Sequence, residues 1–124
     1  MNIEELVPSL ELCKKIPEGE FADSVLCWVD KGCACVLPDG VIPPERHPFV
    51  ELRRYTVQGD EIPAPTATEI LEVLWDDYQK PTVYFRNTWY ATVANDYGDK
   101  ITAVDNENAA NAALKLWLKL KGIE

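Results

Sequence analysis

The chain has 124 residues, of which 47% are hydrophobic and 10% aromatic, and 21 acidic against 12 basic residues give a net charge of −9. This composition argues against a disordered chain, which would be poorer in aromatic residues. It also disfavours direct binding to nucleic acid or to an anionic membrane, because both need a basic surface. The sequence has neither an apolar run long enough for a transmembrane helix nor a secretion-signal pattern at its start. We therefore expect a cytoplasmic protein with its cysteines as thiols.

The chain is predicted to begin with a short helix and a β-hairpin. Residues 9–16 predict the helix, which Ser9 can cap and Pro17 ends. Residues 25–29 and 33–37 have the composition of strands, and the turn between them contains a glycine. This combination favours a hairpin.

A proline-rich loop is predicted after the hairpin, at about residues 37–48. It holds four prolines, a density that neither a helix nor a central strand tolerates. Residues 49–57 then predict a strand, and the charges within it indicate an edge position.

The clearest helix start in the sequence is a capping box at residues 66–69. Thr66 can accept the backbone N–H of Glu69, whose side chain can reach back to the backbone of Thr66. One apolar stripe follows at helical spacing, formed by Ala67, Ile70, Leu71, Leu74 and Tyr78. Pro81 prevents this helix from continuing.

The following residues alternate as strands do. Residues 82–94 predict two strands joined by a turn at Asn87 and Thr88, and residues 101–104 predict a further strand. A final helix is predicted to begin at a cap formed by Asp105 or Asn106. It is expected to run to about residue 121, where a glycine follows.

This order of hairpins and helices predicts an α+β fold, with a small antiparallel sheet built from hairpins and two or three helices packed on it. We expect a single domain over residues 1–124, which is long enough to bury a core. The predicted core contains Val25, Trp28, Ile70, Leu71, Leu74, Phe85, Trp89, Val93, Leu114 and Trp117.

Several segments of the sequence resemble segments of small uncharacterised proteins of phages, prophages and related bacterial mobile elements. They are SLELCKKI, SVLCWV, IPAPTATEILEVL, TWYATV and DNENAANAALKLWLKLKG. The resembling features are a short helix with paired lysines, an aromatic strand, a capped helix, a strand with Trp-Tyr and an alanine-rich last helix. The resemblance implies a source in a bacterial host cell, and no functional residue carries over from it.

Cys27, Cys33 and Cys35 lie within nine positions and are the first candidates for a metal or redox site. A structural zinc site needs four ligands, usually in pairs separated by two to four residues. Here Cys33 and Cys35 are separated by one residue, and Cys13 or His47 would have to be the fourth ligand. The spacing also differs from the C-x-x-C redox motif. We expect small buried hydrophobic side chains, with a cysteine-based metal or redox protein as the alternative.

No other pattern in the sequence indicates catalysis. His47 is the only histidine, and no nucleophile motif lies near it in the predicted loop. The glycines are scattered singly, so no phosphate-binding loop is predicted. We expect neither enzyme activity nor a cofactor.

The predicted helix after Thr66 carries acidic residues opposite its apolar stripe: Glu69, Glu72, Asp76 and Asp77. A solvated helix face is the simplest interpretation, and a surface that binds another protein is the functional one. Trp75 lies beside the stripe rather than in it. It is therefore the tryptophan expected outside the core.

These patterns favour a small non-enzymatic accessory domain of phage or mobile-element origin that binds another protein. An acidic inhibitor that imitates nucleic acid is an alternative, because the acidic residues cluster in patches. The cysteine-based metal or redox protein is a further alternative.

Overall fold

Three α-helices and two small antiparallel sheets form the part of the chain that the computed structural model describes, residues 3–22, 24–29, 49–52 and 61–123. The helices are a short 3-10 helix (Ile3–Leu6), α1 (Leu10–Cys13), α2 (Ala67–Asp77) and α3 (Ala109–Leu120). The strands are β1 (Leu26–Val29), β2 (Phe49–Leu52), β3 (Glu61–Pro63), β4 (Gln79–Arg86), β5 (Thr88–Ala94) and β6 (Lys100–Asp105). The predicted α+β class is confirmed.

Strand β1 lies at the centre of the first sheet, whose strand order is β2-β1-β3. Both strand pairs are antiparallel, and Trp28 lies opposite Val50 on one side and Ile62 on the other. The sequence does not predict β3, because a strand of three residues that ends in proline has no alternating pattern to detect.

Part of the predicted first hairpin lies outside the described residues. This applies to its turn and its second strand at residues 33–37, to the loop at about 37–48, and to the predicted strand at 49–57 beyond residue 52. Within the described part, β1 pairs with β2 and with β3.

Strands β4, β5 and β6 form the second sheet in that order, as the alternating pattern predicts. Asn87 takes a φ of 64° at the turn between β4 and β5, a left-handed conformation that asparagine tolerates. Thr88 is predicted as the second turn residue, but it begins β5 instead. Its hydroxyl donates to the carbonyl oxygen of Asp105 at 2.7 Å, which ties this turn to the end of β6.

Helix α2 begins with the predicted capping box. The backbone N–H of Glu69 donates to Thr66 Oγ1 at 3.2 Å, and the backbone N–H of Thr66 donates to Glu69 Oε1 at 2.9 Å. Ile70 and Leu74 of the apolar stripe are buried. The helix ends before β4, which contains Pro81, as predicted.

Helix α3 is buried on more sides than its predicted apolar stripe implies. It packs against β5, β6 and α2. Contacts on several sides remove most of the helix from water, so residues outside the stripe are buried as well. The buried residues are Ala110, Asn111, Ala112, Ala113, Leu114, Leu116, Trp117 and Leu118.

Two predicted helix limits are wrong. The N-cap of α3 is Asn108, whose Oδ1 accepts the backbone N–H of Asn111 at 2.7 Å, and not Asp105 or Asn106. Asp105 is the last residue of β6, so the chain needs the next residues to turn before a helix can start. Helix α1 is capped by Ser9 as predicted but ends at Cys13, short of residue 16.

Most of the predicted core is confirmed. The buried members are Trp28, Ile70, Leu74, Val93, Leu114 and Trp117, and the partly buried members that pack on the core are Leu71 and Trp89. The prediction is wrong for Val25 and Phe85, which are 58% and 62% exposed.

The two exposed residues lie at the ends of strands. Val25 precedes β1, and its backbone N–H donates to Glu69 Oε2 at 3.2 Å. Phe85 shares a face with Trp89, which lies opposite it on β5, but it is next to the turn between the strands. Its ring packs edge-on against Trp89 at 5.1 Å between centroids. Strand alternation gives the correct face in this case, but not how far the core extends along it.

Candidate functional site

The described cysteines are buried, and Cys13 is poorly suited to chemistry. Cys13 and Cys27 are both buried thiols. Burial, the larger influence, raises the pKa of Cys13 to about 12, although a hydrogen bond with Trp28 lowers it in part. A thiol with such a pKa is almost entirely protonated at neutral pH and is a weak nucleophile.

The remaining predicted metal ligands, Cys33, Cys35 and His47, lie outside the described residues. Within the ranges that the structure describes, no group of three or more His, Cys, Asp or Glu side chains is placed to hold a metal ion.

The predicted acidic side of α2 forms an exposed surface around a tryptophan. We call it the Trp75 face, and it consists of Glu72, Val73, Trp75, Asp76 and Asp77. All five side chains are exposed, and Trp75 itself is 66% exposed. Residues three and four apart are neighbours on a helix, so Trp75 lies next to Glu72, and Asp76 adjoins it along the chain.

Glu69, the fourth predicted acidic residue, has a structural role. Its Oε1 accepts the backbone N–H of Thr66, and its Oε2 accepts the backbone N–H of Val25 at 3.2 Å. The side chain therefore caps α2 and holds the entry to β1 beside it. Its carboxylate positions the helix, and we leave it out of the contact surface.

The carboxylates of the Trp75 face do not stabilise their own helix. Asp76 and Asp77 lie in the last turn of α2, which has no basic residue. The carbonyl end of a helix carries a partial negative charge, so acidic side chains there are unfavourable. In the part of the chain that the structure describes, neither residue forms an ion pair, and neither does Glu72. Natural proteins tend to break local preferences of this kind at functional or strained sites.

A second group of polar residues, which the sequence does not reveal as a group, lies at the start of α3 around the buried Asp105 and Asn111. We call it the Asp105 cluster, and it consists of Asp105, Asn108, Asn111 and Lys115. Lys115 Nζ lies 2.7 Å from Asp105 Oδ1. Asp105 Oδ2 accepts the backbone N–H of Glu107 at 2.8 Å and of Asn108 at 3.1 Å, and the side-chain amide of Asn111 at 3.2 Å.

The charge state of Asp105 follows from these partners. Burial, the largest single influence, raises its pKa. The hydrogen bonds from Lys115, from the two backbone N–H groups and from Asn111 favour the charged form and together outweigh burial. The pKa of Asp105 is therefore below its ordinary value, and the side chain is a carboxylate at neutral pH.

The Asp105 cluster joins distant parts of the chain. Asn111 Oδ1 accepts the backbone N–H of Ser9 at 2.7 Å, and Asn108 Nδ2 donates to the carbonyl of Val7 at 3.3 Å. Because its members are already hydrogen-bonded to one another and to backbone groups, we assign the cluster to structure rather than to catalysis. Its sequence signal is a polar residue, Asn111, within the alanine-rich apolar part of α3.

Comparisons with protein-family models, with curated proteins and with solved structures give no significant match to this chain.

Of the helices that the structure describes, none has the length and apolar character needed to cross a membrane.

Proposed function

We propose that this protein is a small non-enzymatic accessory domain of phage or mobile-element origin, and that it binds another protein through the Trp75 face. The observation that carries the proposal is the 66% exposure of Trp75 on a regular helix, beside carboxylates that form no ion pair with any residue that the structure describes.

The chemistry of the Trp75 face indicates the kind of partner. Tryptophan is enriched among the few residues that supply most of the binding energy at protein interfaces. The surrounding Glu72, Asp76 and Asp77 would attract a basic surface and steer its approach. The expected partner surface is therefore an apolar pocket for the indole with Lys or Arg residues around it.

Replacing Trp75 with alanine is expected to weaken capture of the partner at least tenfold, because the central apolar contact is lost. The measurement is quantitative capture of proteins from cells that carry the gene, with wild-type and Trp75→Ala protein as bait. Tyr97→Ala is the matched control, since Tyr97 is a 90% exposed aromatic between the exposed residues Asp96 and Asp99. It should capture the partner as the wild type does.

The same experiment distinguishes the alternative of an acidic nucleic-acid mimic. A mimic would capture many basic proteins, and the triple change Glu72→Gln, Asp76→Asn, Asp77→Asn would weaken capture more than Trp75→Ala does. Equal capture by wild-type and Trp75→Ala baits would contradict the proposed binding face.

A further inference from the structure

A groove of about 780 Å³ separates the 3-10 helix from β5 and the start of α3. It combines apolar walls with acidic side chains. Leu6, Trp28 and Trp89 supply apolar surface, and Glu4, Glu5 and Glu107 supply exposed carboxylates. None of these residues belongs to the Trp75 face, so the groove is a separate surface.

Hydrogen bonds fix the walls of the groove. Trp28 is 9% exposed and borders the groove, and its indole N–H donates to the carbonyl of Pro8 at 2.8 Å. Trp28 therefore offers an apolar edge and no free donor. Asn111 and Asn108 hold the backbone of Ser9 and Val7, which continue from the 3-10 helix. A groove held in this way is largely formed before a ligand binds, which lowers the entropic cost of binding.

Trp89 extends the apolar surface beyond the groove. It is partly buried, and Phe85 packs against its ring from the exposed end of the hairpin. A ligand that occupies the groove can therefore bury an apolar side chain against aromatic rings and remove part of this surface from water.

The charged residues that the structure describes along the groove are of one sign. In this described part, the lining contains three glutamates and neither lysine nor arginine. Among the described residues, Glu5 and Glu107 form no ion pair. Carboxylates beside an apolar surface favour a ligand that brings cations to the glutamates and an apolar side chain to the rings. A second copy of this acidic chain would bring further negative net charge to the groove.

We propose that this groove binds a basic segment of a protein partner, in which lysine or arginine residues alternate with large apolar side chains. The apolar side chain lies against Trp28 and Trp89, and the cations face Glu5 and Glu107. The groove is thus a second binding surface, and it does not depend on the Trp75 face.

The four tryptophans allow a direct test, because each indole N–H gives its own signal in a ¹H–¹⁵N NMR spectrum. The probe is a short peptide that alternates lysine and leucine. It is expected to shift the signals of Trp28 and Trp89 in a saturable way and to leave the buried Trp117 unchanged. Matched peptides that alternate glutamate with leucine, or lysine with serine, should bind at least tenfold more weakly, because each lacks one of the two contacts.

Variants test the charges of the groove. The double change Glu5→Gln, Glu107→Gln should weaken binding of the lysine–leucine peptide about 3- to 10-fold, as expected for losing two exposed ion pairs. The control is Glu18→Gln, Glu20→Gln, which removes the same charge from exposed residues that do not line the groove. It should weaken binding less than twofold.

Several results would overturn the proposal. They are the absence of a saturable shift at Trp28 and Trp89, equal binding of either matched peptide, and equal weakening by the two double variants. A saturable shift at Trp75 alone would also overturn it, while leaving the proposed function of the Trp75 face intact.

Discussion

Replacing Trp117 with alanine should lower the free energy of unfolding by about 3–5 kcal/mol, the range for deleting a large buried aromatic side chain. Trp117 is 1% exposed in α3, and its ring meets Phe21 edge-on at 4.9 Å between centroids. Its indole N–H has no hydrogen-bond partner within the described residues. The loss should therefore come from apolar contacts and from the cavity that remains.

The measurement is urea unfolding followed by far-ultraviolet circular dichroism, which does not depend on the tryptophan that is removed. Trp75→Ala provides the matched control, because the same substitution is made on the exposed face of α2. Its free energy of unfolding should change by no more than about 0.5 kcal/mol. Similar losses in the two variants would show that the assignment of Trp117 to the core and of Trp75 to the surface is wrong.

Replacing Asp105 with alanine should cost about 2–3 kcal/mol of stability at neutral pH. Asp105 is 7% exposed, and its carboxylate accepts from four donors. The substitution removes the acceptor of two backbone N–H groups and leaves the Asn111 amide only its 3.4 Å hydrogen bond to Glu107 Oε2. Hydrogen bonds left unmade in a partly buried site carry this cost. Lys115 is partly exposed and can turn to water, so its loss contributes less.

The contribution of Asp105 to the free energy of unfolding also depends on pH. Because its pKa is lower in the folded protein than in the unfolded chain, the stabilisation is fully present above the unfolded value of about 3.9. It decreases as the pH falls toward the folded pKa and is absent below it. The difference in unfolding free energy between wild type and Asp105→Ala should therefore narrow on acidification below about pH 4.

Urea unfolding of both proteins between neutral and acidic pH measures this difference. Asp99→Ala is the control, because Asp99 is an exposed acidic residue near the other end of β6. It should change stability by about 0.5 kcal/mol or less at every pH. A difference in unfolding free energy between wild type and Asp105→Ala that stays constant down to the lowest pH would contradict the charge state assigned to Asp105.

The sequence predicts those elements whose signals are local. The capping box of α2 needs only Thr66 and Glu69, and both of its hydrogen bonds are present. The hairpin of β4 and β5 follows from alternation within one short stretch. Strand β3 and the 3-10 helix carry no such local pattern, since β3 forms by pairing with β1 more than thirty residues earlier.

The N-cap of α3 likewise cannot be predicted from local sequence alone. Asp105 and Asn106 are suitable cap residues by type, and so is Asn108. The choice among them depends on where β6 ends, and this is set by pairing of Asp105 with Trp89 on β5. The role of Asp105 as a buried acceptor likewise depends on Lys115 and Asn111, which reach it only in the folded chain.

The candidate surfaces differ in how far sequence predicts them. Trp75 lies beside the apolar stripe of its helix, so helical periodicity alone predicts that it is exposed. The groove is not predicted, because Trp28 and Trp89 are 61 positions apart (89 − 28) and come together only through the two sheets. Glu69 is predicted both as the second residue of the capping box and as part of the acidic surface of α2, and its hydrogen bonds confirm the first of these roles.

Site-specific photo-crosslinking tests the proposed binding face most directly. The photoreactive residue p-benzoylphenylalanine is placed at position 75 in one protein and at position 97 in another, and each is illuminated in cells that carry the gene. We predict a discrete crosslinked partner from position 75 that is absent from position 97. Equal crosslinking from both positions, or a partner from position 97 alone, would contradict the claim that the protein binds through the Trp75 face.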